Sequence, residues 1–329
     1  MTIPRRTLGN TLFDVSEVGF GAWAIGDAWG DLVPEAQARE TLHAALDAGM
    51  NFIDTADVYG GGRSEKLIGA VLKERRERVY VATKMGRWPH WEDTYESMEK
   101  AATGAIGRLG VECLDLVQLH CIPTETLMAG RAFENLEKLK DRGLIRHYGA
   151  SIETIDEGLF CIRNSSAVTL QVIFNLFRQR VVRDLLQAAA ANNVGIIARV
   201  PLASGLLTGK FMADHVFNDK DHRYFNANGE MFNVGETFAG VPFEDGVAFA
   251  GRIEGLLADE SSGATLAQKA LRWILDHEAV STVIPGAKSP KQAVENAAAS
   301  ALCPLSEATH ETLAELYWKE IDDAVRGVY

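Results

Sequence analysis

Basic residues are in short supply. The 329-residue chain carries 33 lysines and arginines against 45 aspartates and glutamates, a formal net charge of −12. A nucleic acid or an anionic membrane surface demands a basic face, so neither is an expected partner. Cysteine is scarce as well. Cys113, Cys121, Cys161 and Cys303 show no C-x-x-C spacing and do not suggest a disulfide framework in a chain this long, so they read as reduced and mostly buried. Nowhere do about 18 apolar residues run uninterrupted, and no apolar segment follows the N-terminal Met1–Arg6, so a cytoplasmic protein is the expectation. Internal repeats, low-complexity tracts and a G-x-S-x-G elbow are missing, and no cysteine sits in a basic setting, which argues against nucleophilic catalysis. His90, His120, His147, His215 and His222 are scattered, and no metal site is expected. Oligomeric state is not legible.

The remaining bulk, 47% hydrophobic and 24% charged, is that of a soluble globular protein with a sizeable core. Apolar runs near 18–22, 51–54, 79–83, 114–119, 145–150, 168–173, 195–200 and 281–285 alternate with stretches of helical spacing at 35–49, 64–75, 93–109, 129–141, 154–163, 182–193 and 290–301. Gly49, Gly110 and Gly143 follow the last periodic residue of three of these stretches, where a left-handed helix terminus favours glycine. Strands alternating with helices imply a parallel sheet covered on both faces, and eight strand candidates without a composition break predict a closed (β/α)8 barrel over residues 1–329 as one domain. An open doubly wound sheet is the rival. It loses ground because Gly19, Gly21 and Gly26 do not fit the G-x-G-x-x-G spacing expected after a first strand. Gly9-Asn10, between two short runs in residues 5–17, is compatible with a tight hairpin turn. The aperiodic segment from about 201 to 245 has the look of a lid or binding loop, and a helix and tail are expected over about 307–329.

Three of the apolar runs end in, or just before, ionisable residues. Asp54 closes Phe52-Ile53-Asp54, with Tyr59 five positions later in a glycine-bounded turn; Lys84 closes the run from Val79, and His120 closes the run from Leu116. Such endings put charge at one rim of a parallel sheet, where α/β enzymes keep their chemistry. Reducing a carbonyl with a nicotinamide cofactor takes a hydride at carbon and a proton at oxygen, and a phenol, with a pKa of about 10, supplies that proton if its pKa is brought down. An ammonium within about 4–6 Å does this, a carboxylate keeps the ammonium charged, and a histidine donates a hydrogen bond that positions the carbonyl. Tyr59, Lys84, Asp54 and His120 supply those four parts; each alone is more often structural, and the set carries the reading. Ser289-Pro290-Lys291-Gln292 opens a helix with a capping serine, proline at the first position and glutamine at the third, so that with Lys288 it makes an anion site. Trp23, Trp29, Trp88 and Trp91 lie near the first and third strand ends and are candidates to wall a substrate pocket, Trp23 foremost.

The segments Asp54–Gly60, Ala82-Thr83-Lys84, Leu114–His120 and Ile284-Pro285-Gly286-Ala287 together resemble the aldo-keto reductase superfamily, and the similarity covers nearly the whole chain. The resemblance implies a (β/α)8 TIM barrel with an N-terminal β-hairpin closing the barrel bottom. It also implies NADPH or NADP+ bound in extended form at the C-terminal face, with NADH disfavoured by Lys288. Tyr59 would be the proton donor, and Asp54, Lys84 and His120 its supporting group. Gly286, Lys288, Gln292, Glu295 and Asn296 match positions that hold the adenosine 2′-phosphate and adenine. The belt over the pyrophosphate matches Arg199 to Lys210, including Pro201, Leu202, Ser204 and Leu206, with Arg223 adding charge from the loop over the cofactor. Ser151 and Gln171 match the partners of the nicotinamide carboxamide. Trp23, Tyr59, Trp88 and His120 would face the substrate, Trp23 and Asp54 also lying near the cofactor. Two positions depart from the pattern: Ile152 stands where asparagine is usual, and Arg199 where an aromatic residue is common, so Arg199 is expected to stack on the nicotinamide and disfavour its oxidised, cationic form. The implied activity is reduction of aldehydes or ketones to alcohols. The alternatives are an NAD(P)-linked sugar or alcohol dehydrogenase and a slow cofactor-holding regulatory or sensor subunit. The particular small carbonyl or sugar is not legible.

Overall fold

The computed structural model describes residues 3–26 and 30–329, so Trp29 lies outside the described residues. Its first two strands, β1 (Arg5–Thr7) and β2 (Asp14–Ser16), pair antiparallel. Eight parallel strands follow, each beside the next: β3 (Phe20–Gly21), β4 (Phe52–Asp54), β5 (Tyr80–Met85), β6 (Leu114–His120), β7 (Ile145–Ser151), β8 (Thr169–Ile173), β9 (Gly195–Arg199) and β10 (Val280–Val283). The ring closes where Gly19 N donates to Val283 O at 2.8 Å and Gly21 N to Pro285 O at 3.0 Å, with parallel bridges Val18 to Val283 and Gly21 to Gly286. This is the (β/α)8 barrel expected from the alternating pattern. Among the described residues, no helix is long and apolar enough to cross a membrane.

Alternation along the strands sorts the interior into layers. Phe52, Ala82, Leu116 and Ile197 join Leu8, Phe13 and Val15 of the hairpin region in an apolar cluster separate from the main core. Two residues further along the same strands, on the same face, stand Asp54, Lys84, Gln118 and Arg199. The lower barrel is therefore hydrocarbon and the upper barrel polar. The hairpin is the stopper of the lower end: a Cβ on Gly9 would lie 2.1 Å from Val168 O and 2.6 Å from Gly195 N, at the starts of β8 and β9. Its connection is wider than the tight turn expected at Gly9-Asn10. Leu8 N donates to Phe13 O at 2.9 Å, enclosing residues 9–12, and Thr11 Oγ1 bonds Leu8 O at 2.7 Å.

Gly49, Gly110 and Gly143 terminate helices with φ of 102°, 68° and 73°. Two further helices, Phe243–Leu256 and Leu266–Leu275, lie outside the stretches of helical spacing named above. The first carries Gly246, Gly251 and Gly255, which lower helix propensity; a Cβ on Gly246 would approach Leu206 Cδ1 to 2.5 Å. The second sets Gln268, Lys269 and Arg272 on one side at helical spacing, a period that is present in the sequence, although Lys269 and Arg272 are themselves buried. The 201–245 segment also holds short turns at Ala203–Thr208, His222–Phe225, Val234–Glu236 and Phe238–Gly240. The chain closes with helix Glu307–Leu316 and a tail.

Candidate active site

At the upper rim the structure brings Asp54, Lys84, Tyr59 and His120 together. Lys84 Nζ lies 2.6 Å from Asp54 Oδ2, 2.9 Å from Thr55 O and 3.2 Å from the Tyr59 hydroxyl. The second Asp54 oxygen accepts from Gln171 Nε2 at 2.7 Å and Gln118 Nε2 at 3.3 Å. Gln118 was visible as the polar break in Leu116-Val117-Gln118-Leu119-His120, two residues before His120 and hence on the same strand face. Tyr59 reaches Lys84 because Gly60, Gly61 and Gly62 all adopt positive φ and turn the chain sharply into the helix Arg63–Leu72. The His120 and Tyr59 rings stand nearly perpendicular, at 83°, with centroids 5.9 Å apart.

Burial alone would discharge Lys84, but the Asp54 carboxylate and the Tyr59 oxygen outweigh it, and the amine titrates above the ordinary lysine range. For Tyr59 burial wins: the phenol titrates above 10 even though Lys84 acts in the opposite direction. The expected acidification is thus only a counterweight, and the phenol keeps its proton at neutral pH. His120 titrates well below 6.5, through burial and then the cations Arg87, Lys84 and Arg199, and is neutral.

Asp57, two residues before Tyr59, is only 8% exposed and is pushed up to about 6 by burial and by the nearby Glu65 charge. A raised carboxyl favours the fold while protonated, so its contribution is present below 3.8 and is lost as pH rises through about 6. Asp57→Asn is expected to stabilise the protein increasingly from about pH 4 to 6. The gain should level off at about 3 kcal/mol, the equivalent of the pKa difference. Denaturant unfolding at several pH values measures it.

Beyond these residues the site holds two charges that the sequence pattern did not reveal, Arg87 and Glu236. Arg87 Nη1 lies 2.9 Å from Glu236 Oε1, and Arg199 Nη1 lies 3.3 Å from the same oxygen. Arg199 Nη2 also donates to Ile152 O at 3.4 Å and lies 3.6 Å from Cys121 Sγ, while the Ile152 side chain is in the core. Glu236 therefore shares one negative charge between Arg87 and Arg199, which leaves the three groups with a net positive charge. Burial opposes ionisation of Glu236, but the two arginines hold it below the usual carboxylate range.

A cavity of about 740 Å³ opens over this rim. Asp54, Tyr59, His120, Trp23 and Trp88 line one end, and Ser151, Gln171, Arg199, Pro201 and Leu202 the middle. Ser204, Lys210, Arg223, Gly286, Lys288, Gln292, Glu295 and Asn296 line the rest. Lys84 sits beneath the floor and Leu206 does not line the cavity; its side chain packs in the core. Trp23 lies 6.2 Å from Tyr59, 4.8 Å from His222 and 6.0 Å from Phe232, ring to ring. Trp91 packs against the core instead of the cavity.

On the same cavity, the helix Pro290–Ala297 begins with Ser289 accepting from Gln292 N at 3.4 Å, and Gln292 Oε1 accepts from Lys288 N at 2.8 Å. Asn296 Nδ2 donates to Gly286 O at 3.3 Å. Lys288 and Lys210 are each lowered by burial and then by Arg223, so the three cations repel one another. Arg223 is not a loose loop arginine: it pairs with Asp221 at 2.6 Å and reaches Ser204 O at 3.2 Å. Between the two ends, Val200, Ala203 and Ser204 have φ of 52°, 47° and 54°, a left-handed backbone that costs non-glycine residues of order 1–3 kcal/mol each. Ser204 Oγ holds that shape by bridging Glu236 O at 3.2 Å and Phe238 N at 3.1 Å.

The sequence and the fold have counterparts among known proteins. Aldo-keto reductase YhdN of Bacillus subtilis is 29% identical over 326 residues, covering 96% of this chain and 92% of that protein. The glycerol dehydrogenase AKR11B4 from Gluconobacter oxydans superposes with a TM-score of 0.80 at 28% identity, covering 100% of this chain and 99% of the other. An aldo-keto reductase from Klebsiella pneumoniae, solved in complex with NADPH, gives 0.72 at 25% identity and 95% coverage of both chains. The model of the Aldo/keto reductase family matches residues 17–317, which span the closed barrel and every rim residue described above. With barrel, rim and family match in agreement, the chain belongs to the aldo/keto reductase family, oxidoreductases that reduce carbonyls.

Proposed function

We propose that this protein reduces aldehydes or ketones with NADPH, using Tyr59 as the proton donor. The observation that carries the reading is the placement of Lys84 Nζ between the Asp54 carboxylate and the Tyr59 hydroxyl at the floor of the cavity. NADPH, when bound, supplies a hydride to the carbonyl carbon. Tyr59 then gives its proton to the carbonyl oxygen, and Lys84 stabilises the phenolate left behind; in the free site burial keeps that proton in place until oxygen becomes basic. Asp54, tied by two glutamine amides, keeps Lys84 charged and aimed.

The cavity suits the cofactor chemically. Lys210, Lys288 and Arg223 lose mutual repulsion when phosphate groups settle among them, and the capped helix start at Ser289 adds amides that favour an anion. Ser151 and Gln171 line the cavity near Asp54, where they would hold the carboxamide, and the K. pneumoniae relative binds NADPH. Oxidation of a sugar or polyol by the same residues in reverse is a second reading, favoured by the glycerol dehydrogenase relative. Absorbance loss of NADPH with a panel of aldehydes, against NADP+ reduction with polyols, tests both; no multiple turnover in either direction would overturn the enzymatic reading. Lys288→Ala is expected to weaken NADPH binding roughly tenfold to hundredfold, the worth of a charge-assisted hydrogen bond, and to leave NADH affinity unchanged. Fluorescence titration of both nucleotides checks this.

A further inference from the structure

Arg87 stands in the turn beyond β5, and its place over the barrel mouth is fixed by Gly86. That residue has φ of 118°, and a Cβ there would lie 2.5 Å from Ile122 Cγ2. Arg87 Nη1 lies 2.9 Å from Glu236 Oε1 and 3.4 Å from His120 Nε2, which sets the guanidinium beside the rim. Its Nε and Nη2 have no hydrogen-bond partner among the described residues and stay open to solvent. Those two N–H groups project side by side from one edge of the planar group, the spacing that meets both oxygens of a carboxylate. The side chain is about a quarter exposed (24%) and lines the cavity with Tyr59, Val58, Trp88 and Pro89.

The charges that line this end of the cavity are unbalanced in the same sense. Asp54 is cancelled by Lys84, and Arg87 and Arg199 divide Glu236 between them. Glu153 also acts on Arg199, but it does not line the cavity. A reduced nicotinamide ring is neutral, so a bound NADPH leaves the excess positive charge for the substrate to meet. Between apolar walls such as Val58, Trp88 and Pro89 a cation gains most from a partner that is itself charged. We propose that the substrate carries a carboxylate within a few bonds of its carbonyl, and that Arg87 is the specificity-determining residue that grips it through Nε and Nη2. The proposal rests on the carbonyl-reductase reading above and names the substrate class for that site. The carboxylate takes no part in the hydride and proton steps; it holds the carbonyl in front of Tyr59, while Glu236, bound to Nη1, fixes the plane of the guanidinium.

Steady-state oxidation of NADPH compares matched substrates: succinic semialdehyde against butanal, 2-oxobutanoate against butanone, and glyceraldehyde 3-phosphate against glyceraldehyde. Wild type is expected to prefer at least one carboxylate over its neutral counterpart. In Arg87→Met that preference should fall by roughly 10- to 100-fold in kcat/KM, the worth of a charge-assisted hydrogen bond, and the change should lie mainly in KM. Arg87→Lys, which keeps the charge without the two-pronged edge, should fall between the two. No preference for either carboxylate in wild type, or an equal loss on charged and neutral substrates in Arg87→Met, overturns the proposal. A preference confined to the phosphorylated aldehyde overturns the carboxylate assignment. Oxamate, a carboxylate that cannot be reduced, is also titrated into the NADPH complex by fluorescence; binding about tenfold weaker in Arg87→Met is expected, and equal binding counts against Arg87. The two ideas separate cleanly. Turnover of carbonyls without any charge preference sinks only the Arg87 proposal, whereas oxamate held through Arg87 with no carbonyl turned over sinks the reductase reading.

Discussion

Tyr59→Phe is expected to lose carbonyl reduction by at least about 10²-fold and up to about 10⁴-fold, the range spanned by general acid catalysis, with NADPH affinity unchanged. The substitution deletes one oxygen. The ring keeps its place because the backbone fixes it: Tyr59 N donates to Ala56 O at 3.2 Å, and Ser64 N to Tyr59 O at 3.2 Å. The ring contacts to Trp23 and His120 involve no hydroxyl. The discriminating measurement is a single-turnover rate beside a nucleotide titration. A rate near wild type removes Tyr59 from its assigned role, whereas a matched loss of NADPH binding would mean the variant had disturbed the cavity instead of the proton transfer.

Lys84→Met is expected to act on the fold as well as on the rate. Lys84 and Asp54 are each 2% exposed, and their 2.6 Å pair is the link between β5 and the end of β4 inside the barrel. Removing one partner of a buried pair leaves the other charge uncompensated, at a cost of about 3–5 kcal/mol. Denaturant unfolding should show that loss in Lys84→Met. The double variant Asp54→Asn/Lys84→Met should recover much of it, because no buried charge is then left alone, yet remain inactive. Lys84 titrates above the ordinary lysine value, so the wild-type stability it contributes is full below that value and fades only as pH climbs through its raised pKa. A Lys84→Met protein as stable as wild type at neutral pH would refute this account of the pair.

The strands and the four rim residues were legible because each signal is local. An apolar run that ends in Asp, Lys or His declares both the strand and its chemical end within a few residues. Gln118 and Arg87 lay within reach of the same logic, one inside a strand and one just beyond it, at the rim where Tyr59 also lies. Glu236 was not, since its meaning comes from meeting Arg87 across 149 residues of chain, and nothing in its aperiodic neighbourhood marks it. Arg199 shows the cost of that gap: its charge was visible, its counter-ion was not. Of the two unread helices, Phe243–Leu256 is obscured by its glycines, whereas Leu266–Leu275 carries a legible helical period in Gln268, Lys269 and Arg272. The hairpin loop was misjudged because Gly9 answers to the backbone of β8 and β9 and not to its own neighbours.

The two-residue beat that sets Phe52 below Asp54 and Ala82 below Lys84 also governs which errors of chain length the protein tolerates. Losing or gaining one residue inside β4 or β5 would turn the carboxylate or the amine toward the surrounding helices and point a neighbour inward, undoing packing and reactivity in one stroke. Extra length inserted at the mouth, between a strand's end and the next helix, leaves that beat intact, except after β4, where Tyr59 itself stands between Asp54 and the helix from Arg63 and would be displaced. Variation in which molecules are accepted is thus best placed in the loops other than the one that carries Tyr59, while Asp54, Lys84 and His120 beneath them stay in step.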